Sequence, residues 1–416
     1  MELNWAGNYE YAGAISYPPT LRQLQELTAS SRRIRALGSR HSFNDIADTS
    51  GPLVVLDQLA TPIEIDAASG SVTVSGAATY GFVATELARH GLALHNLASL
   101  PHISIAGAIA TGTHGSGDRN GSLATAVSAL ELVTASGELL TVTRQSTANF
   151  AGMVVALGAL GIVTRVTLDI QPTFDVRQDV FEQLPWQDVL DNFDDIMSSA
   201  YSVSLFTDWS GPALSQAWLK SRMDGAPVDW SQGFFGGRSA TAGRHPLPGI
   251  SSVNCTQQLG VPGVWADRLP HFKMAFTPSS GAELQSEYHV PRESAPQAIE
   301  AMRELSAQIT PLLLVSEIRS VAADDLWLSP SYHRAGVALH FTWKPHQSGV
   351  EALLPVLEEA LQPFFTRPHW GKLFHADAAA LSGRYERFDD FRSLAARMDP
   401  EHKFRNEFLD RVVFGS

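Results

Sequence analysis

Ser99-Leu100-Pro101-His102-Ile103-Ser104-Ile105-Ala106-Gly107-Ala108-Ile109-Ala110-Thr111-Gly112-Thr113-His114-Gly115-Ser116-Gly117 carries almost no large side chain. Such a stretch lets a flat cofactor or a diphosphate lie directly on backbone N–H groups. It is no Walker loop, because Gly-Lys-Ser/Thr is missing, and its glycines do not follow the G-x-G-x-x-G spacing of a dinucleotide fingerprint. The competing reading is a close-packed loop in a core. A second stretch weighs against that. Gly38-Ser39-Arg40-His41-Ser42-Phe43-Asn44 follows a predicted strand at 34–37. Gly38 ends that strand and permits a tight turn. His41 then sits at a strand end, where binding groups collect.

The 416 residues allow two or three domains, and 44% hydrophobic content supplies real cores. A net charge of −13 makes a poor polyanion binder, so no nucleic-acid partner is expected. One cysteine, Cys255, excludes an intrachain disulfide and a multi-cysteine metal site. The start, Met1 to Gly7, lacks a basic and an apolar signal region, and no run of about 18 apolar residues occurs. A soluble, cytoplasmic protein with no membrane partner is the expectation.

Helix and strand signals alternate over 1–171. Tyr80 to Arg89 reads as a helix with Phe82, Val83, Leu87 and Ala88 as its apolar stripe. Leu130 to Val133 and Leu139 to Val142 read as a hairpin, and Asn149 to Leu157 as a helix. After Gln171-Pro172 the strands lengthen. The connections become rich in Pro, Gly and Trp, and 221–264 is the most irregular part. The expected division is 1–171, a second domain over 172–371, and a return to the first domain over 372–416.

Strand periodicity gives candidate polar faces. Glu317 and Arg319 lie two apart, as do His340 and Thr342, and Gln285, Glu287 and His289 share a face. A sheet with one face in water is the competing reading. These residue types also suit a hydroxylated substrate. Lys372 adds a cation where the chain would re-enter the first domain, and an interdomain cleft is a natural place for a small molecule. There is no His-Glu-x-x-His and no G-x-S-x-G, and the histidines are scattered, so no metal site is expected.

Taken with Gly38 to Phe43 and 99–117, the late Asp399-Pro400 and Lys403-Phe404-Arg405-Asn406 resemble the vanillyl-alcohol oxidase family of flavoproteins. The resemblance closes on its alditol-oxidising branch. It is carried there by Trp5-Ala6-Gly7-Asn8, Ala98 to Ser104, Ala110 to Gly115, Phe276 to Tyr288 and Arg367 to Lys372, and it spans nearly the whole chain. It implies an α+β, two-domain fold: an FAD-binding domain and a substrate (cap) domain with an antiparallel sheet. It also implies FAD bonded covalently through His41. His114 is the rival attachment point, and with Cys255 far from these loops a single bond is expected. Relatives often carry Gly where Arg40 stands. The resemblance places Leu37, Gly38, Ser39, Arg40, His41, Ser42, Ser99, Ser104, Gly107, Ala108, Ile109, Ala110, His114 and Val163 around the flavin. It places Ser99, Gln285, Glu317, Arg319, His340, Thr342 and Lys372 around the substrate.

The implied reaction takes a hydride from a terminal CH–OH of a polyol such as xylitol or sorbitol to the flavin. An aldose results, and molecular oxygen is reduced to hydrogen peroxide. Arg319 and Lys372 would stabilise the developing oxyanion. Lys372, with His340 as rival, would take the proton, and Glu317 would orient Arg319. Ser99 would hold the reacting end, with Gln285 and Thr342 on hydroxyls further along. A small Ala98 would leave oxygen a path. A sugar-lactone oxidase or dehydrogenase of the same fold is the alternative, and a monomer is expected.

Overall fold

The computed structural model describes residues 2–59, 61–225, 229–276 and 283–415. Three short parallel strands, β1 (Ile15–Ser16), β2 (Arg35–Ala36) and β3 (Leu53–Val54), pair in the order β1-β3-β2. A five-stranded antiparallel sheet follows. It contains β4 (Glu64–Asp66), β5 (Ser71–Ser75), β6 (Val127–Val133), β7 (Leu139–Thr143) and β8 (Ile162–Asp169), ordered β7-β6-β8-β5-β4. The β6-β7 pair is the predicted hairpin.

Among the described residues the larger sheet has nine strands. Seven of them matter here: β9 (Asp175–Pro185), β10 (Ser202–Thr207), β11 (Ala213–Arg222), β12 (Leu284–Pro291), β13 (Leu313–Val321), β14 (Gly336–Trp343) and β15 (Arg367–Pro368). They run β9-β11-β10-β13-β14-β12-β15, every pair antiparallel. Alternation sorts their side chains. Val203, Leu205, Ile318, Leu339 and Phe341 pack with Ile299 and Met302 of the helix Ala295–Glu304, and with Leu353 and Leu357 of the helix Gln347–Leu361. Each large apolar side chain buried there contributes about 1.5–3 kcal/mol. Phe206, Glu317, Arg319, His340, Thr342, Gln285 and Glu287 lie on the opposite face, towards the first half of the chain, and line a cavity. Strands β13 and β14 are buried almost throughout, so the reading of a sheet with one face in water is overturned.

Two other expectations are corrected. The helix Tyr80–Arg89 forms as predicted, but its buried stripe is Tyr80, Val83, Ala84 and Leu87, and Phe82 is 52% exposed. Thr79 caps the helix through Phe82 N–H and fixes that phase. The small-residue loop contains a helix, Ile105–Ala110. Tertiary hydrogen bonds from Ile105 N–H to Ala78 and from Ala106 N–H to Gly76 hold it despite Gly107.

The chain's last segment closes the first. Ile34 N–H donates to Lys403 C=O, and Asn406 Nδ2 donates to the carbonyls of Asp45, Ile46 and Asp48. Phe388, Phe391, Phe408 and Val412 join the core built around β5, β6 and β8. Among the described residues no helix is long and apolar enough to cross a membrane.

Candidate active site

The cavity, about 670 Å³, lies between the first-half loops and the polar face of the large sheet. That is within the range of small-molecule sites. Two loops form one wall. Ser104 N–H donates to Ser39 Oγ at 2.9 Å, and Ser39 N–H donates to Ser104 Oγ at 3.3 Å, tying the loops together. A Cβ on Gly38 or Gly107 would collide with Ser104 Oγ, and one on Gly76 would collide with the Val163 carbonyl. Glycine at these positions lets the loops pack this closely, and all three line the cavity. All the residues expected around the flavin line the cavity except Ile109, which turns into the hydrophobic core at 2% exposure. The helix places residues 107, 108 and 110 on one side and Ile109 on the other.

His41 stacks on Trp5 at 5.3 Å between centroids, and its Nδ1 is buried without a hydrogen bond of good geometry. Burial draws its pKa down to about 4, so the ring is neutral at physiological pH. A neutral imidazole whose Nδ1 lacks a hydrogen bond of good geometry, in a residue that lines the cavity, suits bonding to a ligand atom. Arg40 adopts φ of 62°, the left-handed conformation that glycine takes freely, at a cost of roughly 1 kcal/mol or more. Its carbonyl accepts Trp5 N–H at 2.8 Å and its guanidinium pairs with Glu2 at 2.8 Å. His114 does not offer the same opportunity. Its Nδ1 is engaged by Gly115 C=O at 2.8 Å and its Nε2 by Glu287.

The facing wall follows from strand register. Glu287, His340, Glu317 and Phe206 stand opposite one another across four adjacent strands. Lys372 joins them from a turn attached to the edge strand. His369 N–H donates to Glu287 C=O at 3.0 Å and Leu373 N–H to Gln285 C=O at 2.9 Å. Asn44 Nδ2 donates to the carbonyls of Trp370 and Lys372, and Phe43 N–H to Gly371 C=O, so the His41 turn and the Lys372 turn brace each other.

Glu287, whose side chain is 0% exposed, is the hub. Its Oε2 lies 2.5 Å from Lys372 Nζ, 2.8 Å from His340 Nδ1 and 3.2 Å from Arg319 Nη2, and its Oε1 meets His114. Burial alone would raise its pKa. Lys372, His114 and Arg319 outweigh burial and hold the carboxyl well below the usual range. Glu317 is likewise lowered by Arg319 and His271 against the effect of burial. Burial draws Lys372 below the ordinary lysine range, with Glu287 opposing and Arg319 adding. Burial, reinforced by Lys372, takes His340 down to about 4. Lys372 Nζ is 2.6 Å from His340 Nδ1, and His340 Nε2 is 3.0 Å from Thr342 Oγ1. Arg319 Nε lies 3.6 Å from Glu317 Oε2, is buried, and makes no hydrogen bond. It is a donor left for a ligand oxygen.

All the expected substrate residues therefore meet at one cavity: Ser99, Gln285, Glu317, Arg319, His340, Thr342 and Lys372. Periodicity put Glu287 on the polar face without a role. His271, Glu283 and His369 also line the cavity and were missed. His245, Leu247 and Ile250, from the segment read only as irregular, form part of its lining. In the Phe276 to Tyr288 motif, residues 277–282 lie outside the described residues. Six of the fourteen histidines, scattered in sequence, gather here. His114, Glu287 and His289 each place a ligand atom within 4.8 Å of the others. Lys372 and Arg319 already occupy that carboxylate with positive charge, which disfavours a further cation.

A wall of small-residue loops beside a neutral, unsatisfied histidine, facing a cationic and carboxylate wall, defines a flavin-dependent oxidoreductase site. Comparisons agree. Residues 18–143 match the FAD binding domain family, and residues 277–412 match the D-arabinono-1,4-lactone oxidase family. The chain is 48% identical over 419 residues to alditol oxidase of Streptomyces sp., covering 99% of each. It is 30% identical to L-gulono-1,4-lactone dehydrogenase of Mycobacterium tuberculosis, covering 99% of this chain and 98% of that protein. Cholesterol oxidase of Brevibacterium sterolicum superposes with a TM-score of 0.78 at 14% identity, over 99% of this chain and 96% of that one, which establishes the fold. The chain belongs to the vanillyl-alcohol oxidase flavoprotein family, on its alditol oxidase branch.

Proposed function

We propose that this chain oxidises the terminal CH–OH of a polyol such as xylitol or sorbitol to the aldose, with FAD joined to His41 and oxygen as final oxidant. When bound, FAD accepts the two electrons and passes them to oxygen, giving hydrogen peroxide. The observation that carries the reading is the convergence of Lys372, His340 and Arg319 on Glu287 beside the small-residue loops. It supplies candidate proton acceptors, Lys372 and His340, and the fixed positive charge of Arg319 where the substrate oxygen gains negative charge. Lys372 takes the hydroxyl proton. Arg319 Nε donates to the same oxygen, and Glu317 accepts from the next hydroxyl. Gln285 and Thr342 hold hydroxyls further along, and Ser99 confines the reacting end. The 48% identical alditol oxidase supports the polyol over a lactone.

Anaerobic addition of sorbitol or xylitol should bleach the yellow protein, and air should restore the colour with release of peroxide. Bleaching by an aldonolactone alone would replace this reading with the lactone one. The attachment has its own test. Acid-precipitated wild-type protein should carry its colour into the pellet, and His41→Ala should release it to the supernatant. A coloured His41→Ala pellet would place the bond elsewhere.

The pH dependence separates the two proton acceptors. A base works in its neutral form, whose fraction grows with pH through its pKa. With Lys372 as acceptor, the bleaching rate climbs with pH and levels off below the ordinary lysine value of 10.5. With His340 as acceptor, the rate is already level above about pH 4–5, because His340 titrates near 4. A flat profile from pH 5 to 10 would transfer the role to His340.

A further inference from the structure

Outside the groups used so far lies a fully buried lysine. Lys220 on β11 is 1% exposed, and its Nζ reaches the carbonyl oxygens of Leu269 and Pro270 and the Nδ1 of His271. An ammonium has three N–H donors and no acceptor, so three acceptors satisfy it completely. His271 Nδ1 is thereby obliged to accept, which leaves the single hydrogen of the neutral ring on Nε2. That Nε2 lies 2.7 Å from Glu317 Oε1. Trp218 and Phe206 pack edge-on against the ring at 5.2 and 5.7 Å between centroids. His271 also donates its backbone N–H to Ser99 C=O at 3.2 Å.

We propose that Lys220 is a positioning residue for polyol oxidation: by fixing the tautomer of His271 it pins Glu317 Oε1, leaving Oε2 for Arg319 and a substrate hydroxyl. The opposite tautomer would set an imidazole lone pair against a carboxylate oxygen, and Glu317 would swing away. The same clamp on 269–271 steadies the Ser99 side of the cavity. The role rests on the polyol reading for its kinetic consequence but not for its structural one.

Two measurements test it, made at pH 6 because burial draws Lys220 down to about 7. First, in protein labelled with 15N-histidine, with His271→Asn identifying the signal, the wild-type His271 ring should be protonated on Nε2 alone. In Lys220→Met it should show both tautomers. Second, kcat/KM for sorbitol should fall on the order of tenfold to a hundredfold in Lys220→Met. Flavin content should stay full, and methylammonium should restore part of the loss. Unchanged His271 shifts, or an unchanged kcat/KM, would overturn the proposal. If Lys220→Met does not fold, Lys220→Gln and His271→Asn should show the same selective loss. Wild-type protein that sorbitol fails to bleach would refute the polyol reading instead, and the 15N result would still decide the role of Lys220.

Discussion

Replacing Lys372 by Met should lower the rate at which sorbitol bleaches the flavin by about three orders of magnitude while leaving the flavin in place. Removing a positioned proton acceptor costs on the order of 10²–10⁴, and losing a charge that stabilises an oxyanion costs a similar factor. Lys372 supplies the acceptor, 2.5 Å from Glu287 Oε2 and 2.6 Å from His340 Nδ1, and gains its charge as the proton reaches it. The cofactor wall is spared, because Asn44 braces against the Lys372 backbone carbonyl and not its side chain. Anaerobic stopped-flow bleaching together with the visible spectrum checks this. A variant within tenfold of wild type, with full flavin, would remove Lys372 from the reaction.

Glu287→Gln should damage stability as well as turnover. The side chain is wholly buried, and two cations, Lys372 and Arg319, depend on its charge. Breaking a buried ion pair from one side costs about 3–5 kcal/mol, because the remaining charge is stranded. In a chain of this size that corresponds to a fall in the unfolding midpoint of roughly 3–6 °C. The sign of the pH dependence follows. The folded carboxyl titrates well below its usual value, so its stabilisation is present above the unfolded carboxylate range and is lost as pH falls through the folded pKa. The gap in midpoint between wild type and Glu287→Gln should be full near pH 7 and narrow in acid. A gap that widened in acid would contradict the proposed charge state.

The site was legible in part. Period-two alternation put Glu317 with Arg319 and His340 with Thr342, because the face of a strand is written in local sequence. The hub was not legible. Glu287 matters because register sets it across from His340, and His340 across from Glu317, and register is decided by pairing between segments far apart. The Lys220–His271–Glu317 chain joins three such segments and leaves no local mark. The family resemblance pointed to His41 and the small-residue loop, which the fold brings to the cavity; Ile109, expected with them, turns its side chain into the core, because one helical step decides which way a side chain points. Phe82 shows the same limit within one helix: several apolar residues competed for the stripe, and the Thr79 cap chose the phase.

The brace between the His41 turn and the Lys372 turn has a consequence for biosynthesis. A ribosome delivers residues 38–44 first and must add more than 320 residues before Trp370, Gly371 and Lys372 exist to receive Asn44 and Phe43. At about 5–20 residues per second, that wait is roughly 20–60 s. On the proposed attachment, joining of flavin to His41 would be a finishing step of maturation, made on a nearly complete chain, and nascent chains arrested before residue 370 should stay colourless.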